Sequence, residues 1–202
     1  MRLEPLDATI HGDEMWAVAG DPAAARTWDY LGYGPWTDKE QYLDWLRTQQ
    51  ASDDPLFFAI RDMESGRAVG VGTFMRITPE SQSIEIGHLW FSPRLQRTPA
   101  ATEAIFLLLR HAFDDLGYRR MEWKCNALNA ASRRAARRFG FTFEGIFYQA
   151  AIIKGRNRDT AWYSILDGEW PAIRANFEAW LSPENFDEQG NQRRALADLN
   201  AP

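Results

Sequence analysis

Apolar positions along the chain change their period near residue 54. Before that point two stretches carry helical signals. "HGDEMWAVAG" begins with Asp13 as a cap and stops at Gly20, and "TDKEQYLDWLRTQQ" places Thr37 three residues ahead of Glu40, the spacing of a capping box. From Asp54 onward, "PLFFAIRD", "RAVGVGTFMRI" and "SQSIEIGHLWFSP" are strand-type runs separated by the turn sequences "MESG" and "TPES", which predicts three antiparallel strands. Between Pro99 and Leu116 the residues Ala101, Ile105, Leu108, Leu109, Ala112 and Leu116 recur at helical spacing, with Gly117 as the stop. "RRMEWKC" reads as a short strand, "NAASRRAARRFGF" as a helix ending at Gly140, and "FTFEGIFYQAAIIKG" with "RDTAWYSIL" as a long closing hairpin. "DGEWPAIRANFEAWL" reads as a last helix broken near its start by Pro171. The order β, α, α, β, β, β, α, β, α, β, β describes an α/β (α+β) sandwich of mixed sheet with helices on both faces.

No repeat, low-complexity run or linker-length Pro/Gly cluster divides the chain, so a single domain over residues 1–182 is expected. The polar residues 183–202 form a tail expected to be loose or docked on a partner. A length of 202 residues, 45% hydrophobic and 25% charged, has the balance of a soluble globular protein. The start of the chain lacks the apolar core of a signal peptide and no run of 18 apolar residues appears, so the expected location is cytoplasmic, without membrane insertion.

The single Cys125 excludes an internal disulfide, and His11, His88 and His111 are too scattered for a zinc site, so no metal is expected. Net charge of −5 argues against nucleic acid as a partner. Arg119 to Arg138 nevertheless holds seven Lys or Arg against one acid, Glu122, which is either a local anion site or a solvated helix face.

The stretch "FSPRLQRTPAATEA" concentrates the chemistry. A strand ending at Ser92-Pro93 and a helix starting near Pro99 leave a turn whose N–H groups sit at a helix N-terminus, where orphan donors and the helix dipole favour an anion such as a pyrophosphate. Ala100 and Ala101 allow close approach, Arg97 adds a counter-charge, and proline in the first turn loses no intrahelical bond. Any strand-to-helix turn shares some of these traits, so the turn alone leaves both readings open.

Taken with "NAASRRAARRFGFTFEG" and "GRNRDTAWYSI", the run "IEIGHLWFSPRLQRTPAATEA" resembles the GNAT superfamily of acyl-CoA-dependent N-acetyltransferases, of the RimJ/RimL-like, ribosomal-protein N-terminal type. The likeness runs from about Leu3 to Leu166. It implies a mixed, mostly antiparallel sheet of about seven strands with splayed central strands, and acetyl-CoA as co-substrate. The family loop, Gln/Arg-x-x-Gly-x-Gly/Ala, falls on Gln96, Arg97, Thr98, Pro99, Ala100 and Ala101, with Thr102 next. Pro99 departs from the pattern and withdraws one N–H donor.

The resemblance further implies that backbone at Leu89, Trp90 and Phe91 pairs with the pantetheine arm and holds the oxyanion. It places Asn129 on pantetheine and Ser132 near the coenzyme sulfur, although Asn or Ser at a helix start is also a cap. Cys125 would face the reaction centre as a proton relay, or be a small buried hydrophobe. The glutamate of RimL-like enzymes falls near Ala151 here, so that base is missing. Glu85 acting through water is the first candidate for the base and His88 the second, and either is equally readable as a strand-pairing residue. One or two of Arg133, Arg134, Arg137 and Arg138 would reach the 3′-phosphate.

Trp28, Tyr33 and Trp36 are implied to line the acceptor pocket, as stacking surfaces or as anchors for the helices. The expected reaction is direct attack of a primary amine, on a peptide or on a small molecule, on acetyl-CoA. The competing expectation is a non-catalytic CoA-binding or interaction module, with Pro99 and the missing glutamate as marks of decay. Exposed strand edges leave room for a homodimer.

Overall fold

Short strand β1 (Arg2–Pro5) pairs antiparallel with β2 (Leu56–Arg61), Leu3 opposite Ile60, and β2 pairs antiparallel with β3 (Ala68–Thr78), Phe58 opposite Gly72. The computed structural model describes residues 1–201 and divides into two compact units. One holds Met1–Thr78 and Glu85–Leu107, the other Pro79–Ile84 and Leu108 onward. The seven strands make a mixed, open sheet. In the first unit they follow the order β1-β2-β3-β4, where β4 is Ser83–Phe91, and in the second β5 (Arg120–Asn126), β7 (Arg156–Leu166), β6 (Thr142–Ile153).

Helix α1 (Ala8–Ala19) starts earlier than its sequence signals predict. Asp7, and not Asp13, is the cap: its carboxylate accepts from the N–H groups of Thr9 and Ile10. Asp13 lies on the surface, ion-paired to Lys39 at 2.8 Å. Packing forces the earlier start, because the first turns bury Ala8, His11 and Met15. Gly20 does end the helix, but at φ −79, so no left-handed cap is involved; a Cβ there would meet the Trp16 ring at 2.7 Å. Helix α2 (Lys39–Gln50) is capped by Asp38, whose carboxylate takes the Gln41 N–H at 2.9 Å, and not by Thr37. A 3-10 segment, Pro22–Trp28, carries Trp28 into the core. That core joins Met15, Trp28, Tyr42, Leu46, Phe57 and Trp90, each side chain contributing about 1.5–3 kcal/mol by burial.

Helix α3 (Pro99–Arg110) continues into a π-helical turn, His111–Asp115, and the apolar stripe is buried from Ala101 to Ala112, while Leu116, expected to complete it, is exposed past the end of the turn. In the second unit β5 alternates, with Met121, Trp123 and Cys125 buried. The hairpin β6–β7 is joined by Lys154-Gly155, both at positive φ (50 and 72), the backbone of a two-residue turn matched to strand twist. Helix α4 (Ala130–Arg138) lies between β5 and β6 in the chain, and α5 (Trp170–Leu181) follows β7. Pro171 does not break α5: it lies in the first turn, where its missing N–H costs no bond.

The tail departs from expectation, since it folds onto its own unit. Asn185 is buried and donates to the carbonyls of Trp180 and Arg194, Trp180 Nε1 donates to Gln192, and a short helix α6 (Leu196–Leu199) buries Leu196 completely. Polar composition hid these anchors, because two apolar side chains, Leu196 and Phe186 against Trp180, and a few amides hold the segment.

Candidate functional site

The turn from β4 to α3 is closed by its own hydrogen bonds. Leu95 and Gln96 N–H groups both return to Ser92 O, and the Gln96 side chain donates to Phe91 O at 2.9 Å, so Gln96 braces the turn. Thr98 Oγ1 donates to Leu95 O at 2.7 Å and accepts from Ala101 N at 3.2 Å, which makes Thr98 the cap of α3. Pro99 therefore occupies the first helical position. Arg97 is exposed at a left-handed φ of 63, Ala100 is half-buried, and Ala101 and Thr102 are buried.

No hydrogen bond among the described residues claims the N–H groups of Arg97 and Ala100. A cavity of about 460 Å³ opens here, bordered by Arg94, Thr98, Pro99 and Ala100, with Arg67 and the acids Glu14, Asp62 and Glu64 also along it. Unclaimed donors and small residues at a helix start, with Arg94 beside them, suit a diphosphate, whereas Glu14, Asp62 and Glu64 against Arg67 and Arg94 leave the cavity as a whole without surplus positive charge. The turn itself thus fits the diphosphate of the coenzyme that the sequence pattern implies.

Also in the first unit, Trp28, Tyr33 and Trp36 come together, and they bring partners the sequence did not single out. Trp28 stacks on Trp90 at 4.6 Å, Tyr33 contacts Trp45 at 4.6 Å, and Trp36 and Tyr42 each lie within 6.0 Å of Trp45 or of one another. Tyr42 and Trp45, three apart on α2, share a helix face, a spacing that marks them as neighbours but not as part of a site. His88 joins the cluster through Tyr33, whose hydroxyl lies 2.9 Å from Nδ1, and through Phe57. Burial pushes the Tyr33 and Tyr42 phenols well above the usual tyrosine range. On the same strand, Glu85 is buried and ion-paired to Arg76 at 2.6 Å. Gly87 O accepts from Thr73 Oγ1.

In the second unit, Asn129 caps α4, its Oδ1 taking the Ser132 N–H at 3.1 Å. Ser132 Oγ accepts from Trp123 Nε1 at 3.0 Å, a contact between residues nine apart that no spacing announced. Burial raises the Cys125 thiol above the usual range while a hydrogen bond from Ser132 works in the opposite direction. Of the arginines on α4, Arg133 is spent on Tyr163 Oη and Ala127 O, and Arg138 stacks on Trp180 and Phe139; Arg134 and Arg137 are exposed. Arg158 donates to Thr160, and the Asp159 carboxylate, held low first by the Gln149 N–H, organises the β6–β7 hairpin. Ala151 faces Arg158 across that hairpin, beside a register break. Among the described residues no group of three metal-ligating side chains occurs, and no helix is long and apolar enough to cross a membrane.

The family model described as an acetyltransferase (GNAT) domain matches residues 1–142. The chain therefore belongs to the GNAT acetyltransferase family. It is 50% identical to a GCN5-related N-acetyltransferase from Brucella melitensis of known structure, over 98% of this chain and 90% of that one, with a TM-score of 0.97. A GNAT-family acetyltransferase structure from Chromobacterium violaceum ATCC 12472 is 46% identical over 84% of each chain, TM-score 0.78. A Bacillus subtilis (strain 168) protein provisionally named ribosomal N-acetyltransferase YdaF is 27% identical over 105 residues, 52% of this chain and 57% of its own. The chain spans about half the length of the curated relatives it matches.

Proposed function

We propose that this chain transfers an acetyl group from acetyl-CoA to a primary amine. The observation that carries the reading is the start of α3, where Thr98 caps the helix and leaves donors at Arg97 and Ala100 unclaimed beside a cavity. Bound there, acetyl-CoA supplies the activated thioester carbon that an amine attacks directly.

The chain's own residues then have separable tasks. The N–H groups of Arg97 and Ala100 hold the diphosphate, one donor short because of Pro99, while Thr98 and Ala101, bonded to one another, shape the turn around it. Backbone at Leu89 to Phe91 orients the pantetheine, and the Asn129 amide, beyond its capping of α4, is the second candidate for that task. Ser132 Oγ accepts a hydrogen bond from Trp123 Nε1, so its own O–H stays free to donate, to the Cys125 sulfur at rest and, during transfer, as a hydrogen bond to the departing thiolate. Glu85 is a weak choice of base, since the Arg76 guanidinium neutralises it. Tyr33 and Trp36, half-buried at the edge of the core, meet the amine acceptor, a peptide N-terminus or a small molecule, while Trp28, fully buried against Trp90, supports them from beneath instead of lining the pocket as the resemblance implied.

Calorimetric titration of acetyl-CoA into the protein and into Pro99→Gly tests this. Restoring one N–H to a charged group tightens binding about tenfold or more. Failure of both forms to bind overturns the reading; binding without turnover on any amine leaves a coenzyme-binding module.

A further inference from the structure

Three features of the first unit bear on the acceptor. Tyr33 is part-buried, and among the described residues its hydroxyl has one hydrogen-bond partner, His88 Nδ1 at 2.9 Å, with the two rings 5° from coplanar orientation. A buried phenol whose pKa lies far above neutrality keeps its proton and must give it to that partner, or leave it unsatisfied. Nδ1 then accepts, and in the neutral ring the proton resides on Nε2. The second feature is the backbone of His88, held at φ 45 inside β4, a left-handed conformation that costs energy and persists only where surroundings impose it. Tyr33 and Phe57 are such surroundings. The third is a surplus of donors nearby: the indole N–H groups of Trp36 and Trp45 and the Tyr42 hydroxyl are buried and unpartnered. An indole can only donate, so what these groups lack is an oxygen acceptor.

We propose that Tyr33 is a positioning residue that fixes His88 as the neutral Nε2–H tautomer, and that His88 donates to a carbonyl or carboxylate oxygen of the amine acceptor instead of serving as its base. The proposal rests on the acetyltransferase reading and narrows it: the acceptor carries an oxygen near its amine, as a peptide N-terminus or an amino acid does, and an oxygen-free polyamine lacks the group His88 recognises.

Two measurements test the two halves separately. The first is nitrogen NMR of the three histidines in the coenzyme-free protein, with His88 assigned by the signals lost in His88→Gln. A pyridine-like Nδ1 and pyrrole-like Nε2, moving toward a tautomer mixture in Tyr33→Phe, supports the inference. A protonated Nδ1 in the wild type, or no change in Tyr33→Phe, overturns it. The second compares transfer to alanyl-alanine and to 1,4-diaminobutane. His88→Gln, whose amide can still donate, keeps dipeptide transfer within about threefold while His88→Ala loses about ten- to hundredfold, and neither affects the diamine. Equal losses in both variants, or on both acceptors, return His88 to the role of base and overturn the donor assignment. A wild type that acetylates neither probe sinks the acetyltransferase reading and His88's substrate role with it, while the spectrum still decides the tautomer.

Discussion

Glu4 gathers charge from three elements onto one carboxylate. Its Oε2 lies 2.9 Å from both His11 Nε2 on α1 and Arg61 Nε on β2, and Arg61 reaches on to Glu14, which also takes the Ala68 N–H. The His11 hydrogen bond first, and Arg61 next, hold the Glu4 carboxyl down to about 2, against an ordinary 4.5. As pH falls, the unfolded chain takes up this proton before the folded one does. The carboxylate's contribution to stability is therefore present above about 4.5 and lost between there and about 2. Glu4→Gln should melt below the wild type at neutral pH, with the gap closing through that window in a thermal series. A gap that stays constant with pH would assign the loss to packing. None of this was legible in the sequence, because Arg61 lies 57 positions from its partner.

Helix α4 illustrates what local signals can and cannot supply. With only nine residues it depends on its cap, so Asn129→Ala should cost about 1 kcal/mol in urea unfolding, and Asn129→Asp should restore it. If Asn129 also touches coenzyme, the aspartate variant will remain stable yet bind acetyl-CoA more weakly, which separates the two roles. The sequence located this helix, and Asn129 stood at the head of its run as a candidate cap beside Ser132. At α1 it failed: Asp7 and Asp13 are equally good caps locally, and the choice was made by burial of His11 and Met15. The site follows the same rule. Turn residues Gln96 to Ala101 were legible as a contiguous motif, while Trp123 beside Ser132 and Tyr33 beside His88 depend on tertiary contacts.

The division into two units sets the reach of each perturbation. In the second, removing the residues after Ser182 strips away Leu196 and the amide network over Trp180, and should lower stability by at least about 2 kcal/mol, the burial of one leucine. A truncated chain with an unchanged urea midpoint would show that the tail's contacts add nothing. The succession of strands and helices was readable in the sequence, whereas the division into two units was not. The docking of the tail was not, since its few anchors are diluted in polar residues.

The parallel indoles of Trp28 and Trp90, 4.6 Å apart and 16° from coplanar, have an optical consequence. Transition dipoles held that close mix, giving paired bands of opposite sign in circular dichroism that neither ring produces alone. Because both rings lie at the centre of the first unit's core, the couplet reads the integrity of that unit's packing without any added label.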